Sequence, residues 1–530
     1  MKRFNTEGAC NPSKHYMVNI DDRIEYIKTL VAAGKYFTIN RARQYGKTTT
    51  LNRLRRVLSE QYNILNFDFQ LISSADFRTE ESFVKSFSRM LMRKRKSAGI
   101  PEDIIETLQG FISSEEKDVT LSMLFDTIQT YCEKADRSVI LIIDEVDSAA
   151  NNQVFLDFLS QLRGLYIARE DSPDEIHTFQ SVILAGVTDV KHLRGRLRDD
   201  EQHKVNSPWN IAVEFTFDMS LSEEGIKGML LEYESDHNTG MDTVVIAKLI
   251  RGYTEGYPYL VSRICQHIDQ DLVPDVFSDL REAWTAYGVD EAVKILLSEK
   301  NTLFESLMGK LINYPDLKEA LRNVLLKGEV LENLPDDEEQ EQLRMYGFVR
   351  NHENNVVVSN KIFEMRLYRH FLGESAQANS IRQEAASIKN IFVEDGWLNI
   401  PLIMEHFIKS QEQIHGRATE KFLEQEGRER FLTYLSPIIN GTGTYSIEPQ
   451  TRDRRRMDVE IHYLGKRYII ELKIWHGERY NQRGEQQIID YLNYFGLTTG
   501  YMLSFNFNKN KETGVKRLQI GDKVLFEGTV

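Results

Sequence analysis

The sequence predicts a multidomain α/β protein, and three features carry that reading. The first half alternates short apolar runs with amphipathic stretches, the rhythm of a parallel sheet covered by helices on both faces. The middle turns helical and ends in two β-rich arms around a tight turn, the pattern of the wing of a winged-helix module. The last part runs helix, strand, strand, helix, strand, a smaller α/β unit of its own. At 530 residues the chain exceeds one ordinary core, so roughly two to four domains are expected. The pattern places them at 1–220, 221–373, a helical connector at 374–420 that opens with "ESAQANS", and 421–530.

Composition narrows the class. A hydrophobic fraction of 41% with 28% charged residues fits folded domains throughout. The net charge of −14 excludes a chain that coats nucleic acid by bulk electrostatics, although a local basic groove stays compatible with it. Cys10, Cys132 and Cys265 form no CxxC pair, which fits a reducing compartment without a thiolate zinc site. The twelve histidines show no HExxH spacing. The start, MKRFNTEGACNPSKHY, lacks the apolar core of a signal peptide, and no segment reaches the roughly 20 apolar residues of a membrane span. The expected location is cytoplasmic, with no membrane contact.

In chain order, five strands are expected in the first half: "YFTIN" (36–40), "NILNFDF" (63–69), "SVILIID" (138–144), "SVILAG" (181–186) and "IAVEFTF" (211–217). Helices are expected within 80–98 and 120–134 from their apolar spacing. From about 220 to 375 the pattern is helical, broken by "EGYPYL" (255–260) and by "YGFVRNHENNVVVSN" (346–360), whose arms flank a turn at Glu353-Asn354-Asn355. An amphipathic stretch follows from Lys361 to Phe371. The acidic run Asp336 to Glu341 reads as a solvated helical face.

The stretch "INRARQYGKTTTL" (39–51) ends like a phosphate-binding P-loop, but Arg41 stands where GxxxxGK[ST] has its first glycine. Strand, loop and helix follow in the order such a loop requires, with Leu51, Leu54 and Val57 continuing the helix. Gly46 permits close approach of the backbone to phosphate, Lys47 reaches the β and γ oxygens, and Thr48, followed by Thr49, supplies a hydroxyl for Mg²⁺. Arg41 and Arg43 can bring guanidinium groups to the phosphates or to a neighbouring subunit. "VILIIDEVDS" ends an apolar strand in Asp144 and Glu145, placing two carboxylates at the sheet edge where ligands bind in open α/β folds. In that position Asp144 serves the Mg²⁺ hydration shell and Glu145 orients the attacking water. An acidic strand exit with Asp147 or Ser148 capping the next helix would look the same. "VILAGVTD" has the form of the adjacent strand, with Thr188 able to sense the γ-phosphate. Arg194, Arg196 and Arg198 follow as candidates for a trans-acting finger or for plain surface.

These residues resemble the prokaryotic AAA-like ATPases close to the STAND and archaeal-type clades. "HYMVNIDDRIEYIKTLVAAGKYFTINRARQYGKTTTL" is similar to their N-terminal signature, in which an arginine-rich loop replaces the first glycine. "EGYPYLVSRIC" is similar to their GxP element, here Gly256 and Pro258, at the start of a lid leading to a winged helix. The resemblance covers about 10–372. It implies a P-loop ASCE-type sheet, ATP and Mg²⁺ as cofactors with Pro258 at the nucleotide, and an ATP-dependent switch or motor. It also implies a homo-oligomer through the ATPase domain.

A second constellation lies in "RRRMDVEIHYLGKRYIIELKIW" (454–475). Alternation along a strand puts Glu471 and Lys473 on one face while Ile470, Leu472 and Ile474 turn inward. A hairpin near Leu464-Gly465 brings Asp458 alongside. Two carboxylates and a lysine on one small volume are costly without a cation, and Mg²⁺ suits such oxygen ligands. On the following helix Gln487 and Tyr491 are four apart and face the same way. Exposed charges on a half-buried hairpin would be the simplest reading of "ELK" alone.

With Asp458, Gln487 and Tyr491 included, the set resembles the PD-(D/E)XK nuclease superfamily, a restriction-endonuclease-like fold. Asp458 stands for its aspartate, Glu471-Leu472-Lys473 for its ExK, and Gln487 to Tyr491 for its QxxxY helix; Met457 takes the place of the proline. The resemblance implies Mg²⁺, or Mn²⁺, held at Asp458, Glu471 and Leu472, with either Glu429 or Glu426 assisting. Arg452, Arg454, Arg455, Arg456, Lys466, Arg467, Arg479 and Arg483 flank the cluster and can contact backbone phosphates. The expected function is an ATP-regulated nuclease acting on nucleic acid, DNA before RNA, which the domain pairing associates with defence against foreign DNA and with an unidentified protein trigger. The alternative is a nucleotide-dependent switch that binds nucleic acid or a protein without cutting.

Overall fold

A computed structural model describes residues 2–114, 119–150, 152–187, 209–326, 331–373, 385, 389–394, 396–414, 424–439, 443–447, 459–475, 478–506, 508 and 511–530. They form two compact units. The first comprises Met1–Met229, Tyr257–Tyr259 and Arg344–Gly347; the second comprises Leu230–Gly256, Leu260–Leu343 and Phe348–Val530.

In the first unit, helix α1 (Asp21–Ala32) precedes β1 (Phe37–Asn40), α2 (Lys47–Leu58) and β2 (Asn63–Asp68). Three helices follow, α3 (Glu80–Lys94), α4 (Glu102–Ser113) and α5 (Leu121–Lys134), with Thr79 and Thr120 capping α3 and α5 through their hydroxyls. Then come β3 (Val139–Asp144), α6 (Gln153–Asp171) and β4 (Ser181–Gly186). The four strands are parallel in the order β1-β4-β3-β2. Every residue of β3 and β4 is buried, as interior parallel strands require. Alternation sends Ile140 and Ile142 to the face covered by Ile24, Ile27, Val31, Leu51 and Leu54 of α1 and α2. Leu141 and Ile143 join the opposite cluster, with Phe83, Phe87, Phe125 and Phe158 of α3, α5 and α6.

The fifth expected strand, 211–217, is reduced to a single bridge in which the Val213 N–H donates to the Tyr36 carbonyl at 2.8 Å. Arginine side chains take carbonyls at and just beyond the end of this stretch. Arg41 donates to Phe217 O at 2.7 Å and Arg23 to Met219 O at 2.8 Å, while Phe215 and Met219 pack into the α1 face of the core.

The helical part contains α7 (Glu223–His237), α8 (Thr243–Thr254), α9 (Pro258–Gln270), α10 (Ala286–Ser298), α11 (Thr302–Asn313) and α12 (Pro315–Leu326). Its break at "EGYPYL" has left-handed backbone at Glu255 (φ +48°) and Gly256 (φ +70°), after which Pro258 opens α9 with a pre-set φ. Helix α13 (Glu338–Tyr346) and strands β5 (Val349–His352) and β6 (Asn355–Val358) follow. The two-residue strand Leu331–Glu332 joins them to make a three-stranded antiparallel sheet. The turn centres on Glu353 (φ +50°) and Asn354 (φ +66°), with Asn355 already paired to His352. Helix α14 (Lys361–Gly373) closes this module. The acidic run caps and begins α13: Asp337 accepts from the Gln340 N–H at 2.8 Å, and carboxylates at a helix start are favourable.

The C-terminal part contains α15 (Ile400–Ile414), α16 (Glu424–Ile439), β7 (Gly443–Ile447), β8 (Val459–Tyr463), β9 (Lys466–Ile474), α17 (Glu478–Phe495), β10 (Thr499–Phe505), β11 (Gly514–Ile520) and β12 (Lys523–Thr529). The sheet order is β7-β8-β9-β10-β12-β11, with β9, β10 and β12 mutually parallel and the other pairs antiparallel. Strands β7, β11 and β12 extend the expected pattern. Their sequences, "GTYSI", "GVKRLQI" and "KVLFEGT", carry too few consecutive apolar residues to stand out. Helix α15, expected within a connector, instead packs on the sheet: a Cβ on Gly528 would lie 2.7 Å from Met404 and 3.4 Å from Ile408. Among the described residues no helix is long and apolar enough to cross a membrane.

Candidate functional site

Between β1 and α2 the backbone is left-handed at Gln44 (φ +57°) and Gly46 (φ +83°), the latter being the N-cap of α2. Such a turn lets consecutive N–H groups point to one side at a helix N-terminus, where an anion is received. Arg41 is not a left-handed position, so the missing glycine costs the loop nothing there. Its guanidinium is committed within the fold, donating to Asn40 O and Phe217 O at 2.7 Å each and lying 5.5 Å over the Phe215 ring. Arg43 is exposed, and its charge acts on both Lys47 and Glu145. Of the two loop arginines, Arg43 is the one near the acidic strand exit.

Lys47 is only 6% exposed and donates to the carbonyls of Arg41 at 2.8 Å and Ala42 at 3.0 Å. Burial pushes its ammonium below the usual lysine range, against the opposing pull of Glu145, Asp147 and Asp144. Thr48 Oγ1 donates to Asp144 Oδ2 at 2.9 Å, so hydroxyl and carboxylate meet where a hydrated Mg²⁺ takes oxygen ligands. Thr49 turns elsewhere and accepts from the Cys10 N–H at 3.0 Å. Pro258 Cγ lies 4.0 Å from where a Cβ on Gly46 would sit.

Burial raises the Asp144 and Glu145 carboxyls, and each is raised further by neighbouring carboxylates. Glu145 leaves β3 in a left-handed conformation (φ +56°, ψ +43°). Two acids that sequence reasoning did not assign to the site contribute. Asp68 ends β2 directly opposite Asp144, and its charge adds a small push upward to the Asp144 carboxyl. Asp147 accepts from the Val187 N–H at 2.7 Å, joining the exits of β3 and β4. The acidic end of "NILNFD" was a visible signal for Asp68, whereas nothing local announced the Asp147 bond. Thr188, Arg194, Arg196 and Arg198 lie outside the described residues.

In the C-terminal sheet the hairpin turns at Leu464 (φ +48°) and Gly465 (φ +74°), pairing Val459 with Ile470. Glu471 is 1% exposed, and its Oε1 lies 2.9 Å from Lys473 Nζ. Lys473 donates to Gln487 Oε1 at 3.2 Å, and Gln487 donates to the Tyr491 hydroxyl at 2.9 Å. The four side chains thus form one line from β9 across to α17. Gly484 makes this approach possible, because a Cβ there would lie 3.2 Å from Lys473 Cε. The main chain of Leu472 sits between the two charged residues, its side chain fully buried. A further carboxylate, Glu460, is paired with Arg467 Nε at 2.8 Å and lies 3.0 Å from His462 Nε2. Asp458 and Arg452, Arg454, Arg455 and Arg456 lie outside the described residues, as do the side chains of Glu426, Arg479 and Arg483; Glu429 is half-buried on α16. Among the described residues, no group of three or more His, Cys, Asp or Glu gathers as a metal site.

A lysine-bearing phosphate loop opening a helix beside an acidic strand exit places the first unit among the P-loop nucleotide hydrolases. The chain belongs to the AAA-like domain family, whose model matches residues 7–373, and it is an ATPase of that kind. Similar solved structures include the Walker-type ATPase paby2304 of Pyrococcus abyssi, with 14% identity and a TM-score of 0.45, covering 69% of this chain and 99% of that one. The RuvB Holliday junction branch migration motor of Thermotoga maritima is similar at 12% identity and a TM-score of 0.33, covering 67% and 95%. The ORC1 protein of Aeropyrum pernix in complex with DNA is similar at 12% identity and a TM-score of 0.29, covering 67% and 93%. A search of curated proteins found no match.

Proposed function

We propose that this ATPase controls a metal-dependent nuclease carried by its C-terminal sheet, with DNA as the substrate. The observation that carries the reading is the buried Glu471–Lys473 pair continued by Gln487 and Tyr491. A buried ion pair is commonly no more stabilising than an apolar pair of the same volume, so its placement beside an acid-bearing hairpin favours chemistry over architecture. In this reading Asp458, Glu471 and the Leu472 carbonyl hold Mg²⁺ or Mn²⁺, which supplies a water acidified for attack on a phosphodiester. Lys473 offsets the charge that builds on the scissile phosphate, and Gln487, fixed by Tyr491, holds Lys473 in place. At the P-loop, Lys47, Gly46 and Arg43 receive the ATP phosphates, Thr48 and Asp144 hold Mg²⁺, and Glu145 orients the hydrolytic water.

The acidic start of α13 makes that helix a poor phosphate contact, so DNA is expected on the arginine-flanked approach to Asp458. The test is incubation of supercoiled plasmid, and separately RNA, with wild type, Lys47→Ala and Asp458→Ala, each with and without ATP and Mg²⁺. Wild type is expected to nick plasmid only with the metal, Asp458→Ala to leave it intact, and Lys47→Ala to lose the response to ATP. Equal cutting by wild type and Asp458→Ala would contradict the assignment. Retention of nucleic acid without cutting would favour the binding switch.

A further inference from the structure

The phosphate loop is gripped at two consecutive residues by segments remote from it in sequence. The Tyr257 hydroxyl donates to the Arg43 carbonyl, and the Tyr257 ring meets Tyr45 edge-on at 4.7 Å. At Gly347 (φ +84°) there is no room for a side chain, since a Cβ would lie 2.7 Å from Ala42 Cβ. Both contacts come from the short segments, Tyr257–Tyr259 and Arg344–Gly347, that group with the first unit while their neighbours on either side belong to the second. Each grip also adjoins left-handed backbone, at Glu255 and Gly256 before Tyr257 and at Gly347 itself. On the second unit's side, the Glu255 carboxylate is paired with Arg251 at 2.7 Å and with Arg350 at 3.5 Å, tying the chain just before Tyr257 to the chain just after Gly347.

We infer that Tyr257 and Gly347 are positioning residues for the phosphate loop, and that together they pass its nucleotide state to the segments flanking Glu255 and Arg350. Lys47 supplies the reason the loop changes. Its ammonium bonds the carbonyls of Arg41 and Ala42, and a phosphate that recruits this ammonium competes with both. Gly347 rests against Ala42, whose carbonyl loses its donor, and Tyr257 bonds the carbonyl of Arg43, the next peptide unit along. Left-handed joints at few residues are where a chain absorbs such a change in backbone angle. The inference rests on the ATPase, not on the proposed nuclease, so failure of one leaves the other standing.

The test compares wild type, Tyr257→Phe, Gly347→Ala and the double variant Ala42→Gly/Gly347→Ala. Affinities for fluorescent ATP and ADP analogues, ATPase kcat and KM, and amide hydrogen exchange at residues 243–256 and 348–358 are measured with and without ATP. Tyr257→Phe keeps the ring and loses the bond; it is expected to melt within a few degrees of wild type yet change the ATP-to-ADP affinity ratio by about fivefold or more. The ATP-induced change in exchange seen in wild type is expected to disappear. Gly347→Ala is expected to weaken nucleotide binding about tenfold, with most of the loss recovered when Ala42→Gly restores the space. Unchanged nucleotide affinity together with an unchanged exchange response in Tyr257→Phe would overturn the inference, as would a double variant no better than Gly347→Ala. If Gly347→Ala does not fold, the Tyr257→Phe result decides.

Discussion

Replacing Lys47 by alanine is expected to lower ATP hydrolysis by about 10²–10³-fold, the usual consequence of deleting one pre-organised charge donor at a reacting centre. The structure gives two reasons for an effect of that size. Lys47 is the buried cation facing Glu145, Asp147 and Asp144, so its loss removes positive charge from beside three carboxylates at the place where a polyanion must bind. It also donates to the carbonyls of Arg41 and Ala42, so the loop itself loses two fixed points. Lys47→Arg is expected to fail as well, because the planar guanidinium is wider than an ammonium and the site is closed around it. Phosphate release from ATP, alongside binding of a fluorescent ADP analogue, checks this. Hydrolysis by Lys47→Ala within tenfold of wild type would show that the loop's lysine is not at the phosphates.

The second large effect concerns Glu471. Glu471→Ala is expected to abolish DNA cleavage and also to destabilise the protein by about 3–5 kcal/mol, since it takes the Glu471 carboxylate from the largely buried Lys473 ammonium while the neutral Gln487 contact stays. Glu471→Gln retains an acceptor for Lys473 and is expected to keep most of the stability while still abolishing cleavage. The informative variant is the double replacement Glu471→Leu/Lys473→Met, which fills the same space with apolar groups. It is expected to be at least as stable as wild type in urea unfolding and to be inactive. That combination separates a pair kept for chemistry from one kept for packing. ATP hydrolysis by all three variants is expected to stay within about twofold of wild type, because none touches the P-loop. Cleavage surviving in Glu471→Gln would remove Glu471 from the site.

Much of this architecture was legible because the strands are long apolar runs with sharp ends. β3 and β4 are six buried residues each, and their alternation between two helical layers follows from the parallel arrangement that such runs imply. The phosphate loop was legible from Gly46, Lys47 and Thr48 in the order strand, loop, helix. The role of Arg41 was not, because its acceptor, Phe217 O, lies 176 residues away and leaves no local pattern. The stretch "IAVEFTF" reads as a strand yet pairs only at Val213, and its last carbonyl, that of Phe217, is taken by Arg41. In the C-terminal sheet, Glu471 and Lys473 were found from their spacing, but the depth of Glu471 was not. Alternation predicts that it shares a face with Lys473, whereas its burial goes with the interior place of β9 between β8 and β10, which spacing alone does not show. Strand β11 escaped notice because charges interrupt it at the sheet edge, where part of it meets water, and β12, paired on both sides, offers only three consecutive apolar residues, Val524 to Phe526.

The central claim is that a divalent cation is held at Glu471 beside Lys473. It is tested most directly by titrating nucleotide-free protein with Mn²⁺ and counting bound ions by electron paramagnetic resonance, since the P-loop does not retain the metal without the nucleotide phosphates that complete its coordination. One ion per chain in wild type, lost in both Glu471→Gln and Asp458→Ala and unchanged in Lys47→Ala, is the expected result. No bound ion in wild type, or the same ion in Glu471→Gln, would contradict the account and leave the ATPase without a cutting partner.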